Sequence, residues 1–238
     1  MRDEIYKDIV DISKFTFDKK VVDVFDDMVL RSVPGYKQMI ELIGLAGRIY
    51  PVKNTNIYDL GCSTGAATLS IASNLKSESV NIFSVDNSEE MLNKCKKNLS
   101  HLNTNIQYVH DDISNIEFKN ASLIILNLTL QFIDPDKRSN LIEKIFNGLY
   151  RGGALLISEK VIDKDNKTNQ ALINLHEVFK KENGYSETEI AQKRKSIEDV
   201  LIPESLEKHF QRLNNAGFKN PILLMQCINF ASFIAIKE

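Results

Sequence analysis

The residues best able to do chemistry lie in the run Asp59-Leu60-Gly61-Cys62-Ser63-Thr64-Gly65 and at Asp86, which closes the next apolar segment. Glycines at 61 and 65 let a backbone turn tightly and approach a ligand. Three chemistries fit. The plainest is a bare strand-to-helix turn, which any α/β protein needs. The second is the G-x-S-x-G nucleophile elbow, matched literally with Ser63 at its centre and His176 and His209 downstream as bases. Two points oppose it: the loop follows what reads as the first sheet strand, leaving little sheet before it to carry an oxyanion loop, and Asp59 stands at that strand's end. The third is an adenosine-ligand site. A carboxylate at Asp86 can accept hydrogen bonds from both ribose hydroxyls. Its bland role, a helix cap, is already filled by Ser88. A dinucleotide would call for G-x-G-x-x-G with a pyrophosphate on the helix terminus, and position 63 is serine. Asp59 repels phosphate and suits an α-ammonium group. S-adenosylmethionine has the ammonium and no phosphate, so it is the ligand these residues imply. Asp112 and Ile113, after the third strand, then stand near the adenine amine and ring.

Alternating strands and helices must position these groups. Strands are expected at 56–60, 80–86, 106–109, 121–127 and 154–158. Leu123-Ile124-Ile125-Leu126 is apolar on both faces, as a buried parallel strand should be. Helices follow the glycine loop and the Ser88 cap, and another is expected over 139–149, stopped at Gly152-Gly153. Residues 1–54 read as a helical cap, broken at Ser32-Val33-Pro34-Gly35-Tyr36. Residues 55–238 then form one α/β domain with a polar helical insertion, 163–215, that holds a capping box at Ser186-Glu187-Thr188-Glu189. The chain closes on a β-hairpin, 222–225 with 230–236. This order predicts an α/β fold with a doubly wound, mainly parallel, Rossmann-like sheet.

The 238 residues carry 30 Lys+Arg against 32 Asp+Glu, a net charge of −2, which disfavours tight, direct nucleic-acid binding. No apolar run reaches the roughly 20 residues of a membrane span, and the acidic N-terminal stretch is unlike a signal or transit peptide. Three dispersed cysteines, Cys62, Cys95 and Cys227, argue for a reducing, cytoplasmic setting without a disulfide framework or metal site.

Five segments narrow the assignment: Phe15-Thr16-Phe17-Asp18, Val24-Phe25-Asp26-Asp27-Met28, Arg31-Ser32-Val33-Pro34-Gly35-Tyr36, residues 58–68 and Leu126-Asn127-Leu128-Thr129-Leu130-Gln131-Phe132. From about residue 15 to its end the chain resembles the carboxy-S-adenosyl-L-methionine synthases, on a fold of the class I methyltransferase type with its antiparallel terminal strand pair. The resemblance implies a transferase that converts S-adenosylmethionine and prephenate to carboxy-S-adenosylmethionine and phenylpyruvate. It also implies a homodimer, no metal, and delivery of the product to a separate enzyme that carboxymethylates hydroxyuridine at the tRNA wobble position. Cofactor contacts carried over by resemblance fall on Tyr36, Gly61, Cys62, Ser63, Asp86, Asn87, Asp112, Ile113, Asn127 and Arg194; Arg194, which would hold the new carboxylate, and Tyr36 are also the candidate catalytic residues. Thr64 stands where the family pattern has leucine; a small side chain there should not disturb binding.

Without the resemblance, each of these has a plain reading. Tyr36 is a core aromatic behind a turn, and Asn127 satisfies loop backbone. Arg194 belongs to a solvated helix face, and Cys62 is only a small residue. Arg194 separates two reactions. A guanidinium 4 Å from a sulfonium costs about 4 kcal/mol at an effective dielectric near 20, which an ordinary methyltransferase would not gain from. Where the transferable carbon bears a carboxylate, arginine binds it bidentately. The implied mechanism releases CO2 and hydroxide from prephenate, deprotonates the sulfonium methyl, and traps the CO2 on that carbon with water excluded. The N-terminal helices and residues 163–200 are candidate lids. The competing readings are an ordinary methyltransferase of a small molecule or tRNA and a non-catalytic S-adenosylmethionine binder.

Overall fold

The structure is a computed structural model and describes residues 1–8, 15–76 and 79–238. Helices α1 (Lys19–Ser32) and α2 (Tyr36–Ile49) precede the sheet. Asp18 starts α1 by accepting from the Val21 N–H at 3.1 Å, and its Val21, Val22, Val24, Met28 and Val29 face inward. Gly35, at φ 77°, turns the chain into α2, and a Cβ there would lie 2.7 Å from Met225 Cε. No described helix is long and apolar enough to cross a membrane.

Strands β1 (Asn56–Leu60), β2 (Asn81–Asp86), β3 (Ile106–His110), β4 (Ala121–Asn127) and β5 (Leu149–Ile162) alternate with α3 (Ala66–Asn74), α4 (Glu89–Leu99) and α5 (Pro135–Gly148). After α6 (Asn166–Glu182) and α7 (Glu187–Ile197) come a two-residue strand β6 (Glu204–Ser205), α8 (Leu206–Asn215), β7 (Lys219–Cys227) and β8 (Phe230–Ile236). The main order is β3-β2-β1-β4-β5-β8-β7; β6 pairs with the end of β5. Strands β1 to β5 run parallel, and β8 lies antiparallel to both β5 and β7. This is the doubly wound, mainly parallel sheet that the sequence predicts.

The two faces have separate cores. One packs Phe118, Leu141, Ile142, Ile145, Leu213 and Phe218 against the sheet, and the other packs Ile43, Ala46, Ala67 and Ile71. Strand β4 is buried from Ala121 through Leu126, so its apolar run faces both cores. The capping box of Ser186 and Glu189 forms as expected, as does the Ser88 cap, whose Oγ accepts from Met91 N at 3.2 Å.

Two boundaries differ from expectation. The helix expected at 139–149 starts four residues earlier, because Asp134 caps it and Pro135 occupies its first turn, where proline loses no hydrogen bond. Gly152-Gly153, read as a helix stop, lies inside β5, which begins at Leu149. Gly152 takes φ 90° where the pairing with β4 shifts register. Within the insertion, α8 begins at Leu206 on a Ser205 cap, after β6.

Candidate active site

Order reverses between β1 and β4, and ligands of open α/β sheets bind beyond the carboxyl ends of strands at such a switch point. A cavity of about 720 Å³ opens there. Tyr36, Gly61, Cys62, Ser63, Asp86, Asn87, Asp112, Ile113, Asn127 and Arg194 all line it, although they come from six separate parts of the chain.

The glycine loop is shaped by three positive φ angles: 74° at Gly61, 49° at Ser63 and 92° at Gly65. A Cβ on Gly61 would sit 2.6 Å from Thr129, and one on Gly65 would sit 2.8 Å from Cys95 Sγ, so glycine is required for space as well as conformation. Asp86 braces the loop. Its Oδ2 accepts from Ser63 N at 2.8 Å and its Oδ1 from Ser88 N at 2.9 Å. Each oxygen keeps a lone pair for a ribose hydroxyl. Burial pushes the Asp86 carboxyl up, opposed by the N–H groups of Ser88, Ser63 and Asn87. Asp59, expected at an ammonium, lines the cavity but its Oδ2 accepts from Thr68 Oγ1 at 2.6 Å; burial raises it to about 6.

Asn127 ends β4, and its buried Oδ1 has no partner among the described residues. An orphaned acceptor is expensive, and a ligand ammonium would satisfy it. Together with the Gly61 cradle, this unpartnered oxygen fits the amino acid end of S-adenosylmethionine. The turn after Asn127 is held from beneath by Glu159. Oε1 of Glu159 accepts from Thr129 N at 3.1 Å and Leu130 N at 2.7 Å, and Oε2 accepts from Gln131 N at 3.0 Å. Burial pushes this carboxyl up to about 8 against those donors. Thr129 Oγ1 then donates to Leu60 O at 2.9 Å, locking the turn to the end of β1.

Tyr36 opens α2 beside the cavity, and burial, then Asp26 and Asp59, raises its phenol so that it stays protonated. Thr64 donates to Asp26 Oδ1 at 2.7 Å, tying the loop to α1. A leucine at that position could not make this bond. Phe17 contacts Phe25 and Phe132 edge-on, at 6.3 and 5.4 Å between centroids, and all three line the cavity.

The rival chemistries lack their parts. Ser63 Oγ lies 3.3 Å from Met91 Sδ, not against a base. His176 donates from Nε2 to Ser32 O at 2.7 Å and is driven by burial to about 3, so it is neutral. His209 packs on Phe233. The Cys62 thiol is raised well above its usual value by Cys95 and by burial, which keeps it protonated. Among the described residues no group of three His, Cys, Asp or Glu side chains could hold a metal ion.

Arg194, on α7, forms an ion pair with Glu177 of α6, its side chain about half exposed. It therefore reaches the cavity, and it does so already partnered. Near it stand three lysines the sequence does not single out, Lys160, Lys180 and Lys193.

A family model described as "Methyltransferase domain" matches residues 57–153. The carboxy-S-adenosyl-L-methionine synthase of Ruthia magnifica subsp. Calyptogena magnifica is 48% identical over 237 residues, covering 100% of both chains. That of Pseudoalteromonas atlantica is 48% identical over 240 residues, covering 100% of this chain and 98% of the relative. This chain belongs to the carboxy-S-adenosyl-L-methionine synthase family. Solved structures share the fold at low identity. Human N-acetylserotonin methyltransferase in complex with SAM matches with a TM-score of 0.58 at 18% identity, over 92% of this chain and 55% of that one. Magnesium protoporphyrin IX methyltransferase from Synechocystis with bound SAM matches with a TM-score of 0.57 at 13% identity, over 86% and 80%.

Within the synthase family frame, sequence reasoning missed Glu159 and the lysines. Glu159 had a signal, a lone acid just after the apolar run Ala154-Leu155-Leu156-Ile157 and Ser158. Lys160 and Lys180 had none, because lysine beside a strand end or in a charged helix is ordinarily solvated.

Proposed function

We propose that this chain converts S-adenosylmethionine and prephenate into carboxy-S-adenosylmethionine and phenylpyruvate. Arg194 carries this reading, for it is a guanidinium that shares one cavity with the loop of Gly61 and with Asp86. A cation there opposes a bare sulfonium methyl and favours a carboxylated one. Glu177 holds Arg194 in place until a substrate carboxylate replaces it. Asp86 seats the ribose, and Asp112 and Ile113 stand by the adenine. The Asn127 amide oxygen receives the ammonium. Phe17, Phe25 and Phe132 offer a dry face to the cyclohexadiene ring.

The reaction balances within these two substrates. Prephenate breaks two bonds and leaves as phenylpyruvate, CO2 and hydroxide. The proton lost from the methyl group combines with the hydroxide, and the freed carbon lone pair bonds to the CO2. Tyr36, held protonated, is no base for this step, so the hydroxide released by prephenate is the proton's natural acceptor. The product would serve a separate tRNA carboxymethyltransferase in the cytoplasm. The net charge of −2 supports leaving the tRNA to that partner. The exposed Ile222, Leu223 and Leu224 on edge strand β7 support a homodimer.

Incubation with S-adenosylmethionine and prephenate, followed by mass analysis of the nucleoside, tests the reading. A product heavier by one CO2 is expected. No such product, with methyl transfer to an acceptor instead, would make the chain an ordinary methyltransferase, and no turnover at all would make it a binder.

A further inference from the structure

The wall facing the nucleoside end gathers cations from three elements: Lys160 near the end of β5, Lys180 on α6, and Lys193 with Arg194 on α7. Two of the four are answered within the protein. Arg194 pairs with Glu177. Lys193 lies 3.7 Å from Asp3 Oδ2 and donates to Ser32 Oγ at 3.1 Å. Glu189, the other acid on this wall, spends Oε2 on the N–H and hydroxyl of Ser186 in its own capping box. Lys160 and Lys180 have no ion pair and no side-chain hydrogen bond among the described residues. His176, which lines the same cavity, is neutral and its ring is engaged by Ser32.

The fold enforces this placement. Lys160 is paired with Phe230 across the antiparallel seam of β5 and β8, and strand alternation sends Glu159 to the opposite side, under the 129–131 turn. Lys160 therefore faces the cavity as a consequence of where Glu159 is needed. Burial, then Lys180 and Arg194, lowers the Lys160 ammonium to about 8, and burial alone lowers Lys180 to about 8. Half-buried like charges repel one another and lose solvation, a cost that an anion arriving between them removes.

The substrate proposed above has two carboxylates with different fates. One leaves the ring as CO2 and is reattached, and Arg194 is committed to it. The other, at the end of the pyruvyl side chain, is retained in phenylpyruvate and needs a separate cationic partner. We propose that Lys160 and Lys180 form a second carboxylate subsite, which grips the retained α-keto acid end of the substrate while Arg194 handles the transferred group. This rests on the prephenate reading for the identity of the ligand; the subsite itself is defined by the two unanswered ammonium groups.

Phenylpyruvate, which carries only the retained carboxylate, is the discriminating probe. Its binding to the intact protein with S-adenosylmethionine present is to be measured by calorimetry for the wild type, the double variant Lys160→Gln/Lys180→Gln, the double variant Lys160→Arg/Lys180→Arg, and Arg194→Ala. The glutamine pair should weaken phenylpyruvate at least tenfold and raise the KM for prephenate by a similar factor, with S-adenosylmethionine affinity held within threefold as the check on folding. The arginine pair should restore most of the loss, and Arg194→Ala should leave phenylpyruvate binding near wild type. Wild-type phenylpyruvate affinity in the glutamine pair, or loss only in Arg194→Ala, overturns the subsite. A wild-type protein that makes no carboxylated nucleoside but binds phenylpyruvate through these lysines overturns the reaction and keeps the subsite. A wild-type protein that makes the carboxylated nucleoside but loses no phenylpyruvate affinity on the double substitution overturns the subsite and keeps the reaction. If the wild type binds no phenylpyruvate, the subsite falls.

Discussion

The two ends of the cavity differ in charge and in how their backbone is held. At the nucleoside end, acids sit on strand ends and tight turns: Asp86 is pinned by Ser63 and Ser88 N–H groups, and Asp59 by Thr68. Every such group is fixed by a short bond to its own neighbourhood, so the site is preformed. At the other end, cations ride on helices α6 and α7 and on the last residues of β5. They are held by acids a substrate can displace, as Glu177 holds Arg194, or have no ion-pair partner among the described residues, as at Lys160 and Lys180. One end is built for a ligand that is polar and partly cationic. The other is built to receive anions, and it gains its stability when they come. An adenosyl methyl donor alone would satisfy only the first end.

The contrast can be broken most sharply at Arg194. Arg194→Ala should cut formation of the carboxylated nucleoside about a hundredfold, within the roughly 1.5–3 kcal/mol of a charge-assisted hydrogen bond. S-adenosylmethionine affinity, read by calorimetry, should hold or tighten, because the cation opposing the sulfonium is gone. Equal losses in both would mean that the two ends are not separate. At the opposite end, Asp86→Asn should weaken S-adenosylmethionine and its carboxylated form alike, about tenfold, because the ribose then meets a neutral acceptor. A selective loss of the carboxylated form would contradict the assignment. The smallest effect is in pH. The free Lys160 ammonium is faced by Lys180 and Arg194, and by a neutral His176, and sits at about 8. Above that pH it becomes neutral and can no longer attract a carboxylate. Thus kcat/KM for prephenate, which reports the free enzyme, should fall about threefold between pH 7.5 and 8.5, while S-adenosylmethionine binding stays flat. A profile that rises across this range would remove Lys160 from the anion's path.

The comparison also explains how much was legible beforehand. Asp86 and the loop of Gly61 to Gly65 announce themselves because their work is local. A glycine with positive φ and an acid at a strand end are features of a few consecutive residues. The Asp134-Pro135 helix start is equally local, a capping acid followed by a first-turn proline, and it sets the helix four residues before the expected 139. Gly152-Gly153 misled because glycine serves a register shift in a strand as readily as a helix end.

By itself the sequence determined the strand and helix order, the glycine loop and the family, since periodicity, turn chemistry and five distinctive segments are all written along the chain. Only the tertiary structure decided that Arg194 shares a cavity with Asp86, that Glu159 lies beneath the 129–131 turn, and that Lys160 and Lys180 stand unanswered nearby. The reason is physical. Local conformation depends on neighbours in sequence, whereas the net charge of a pocket depends on which distant side chains the folded sheet and helices bring together and which of them already have partners.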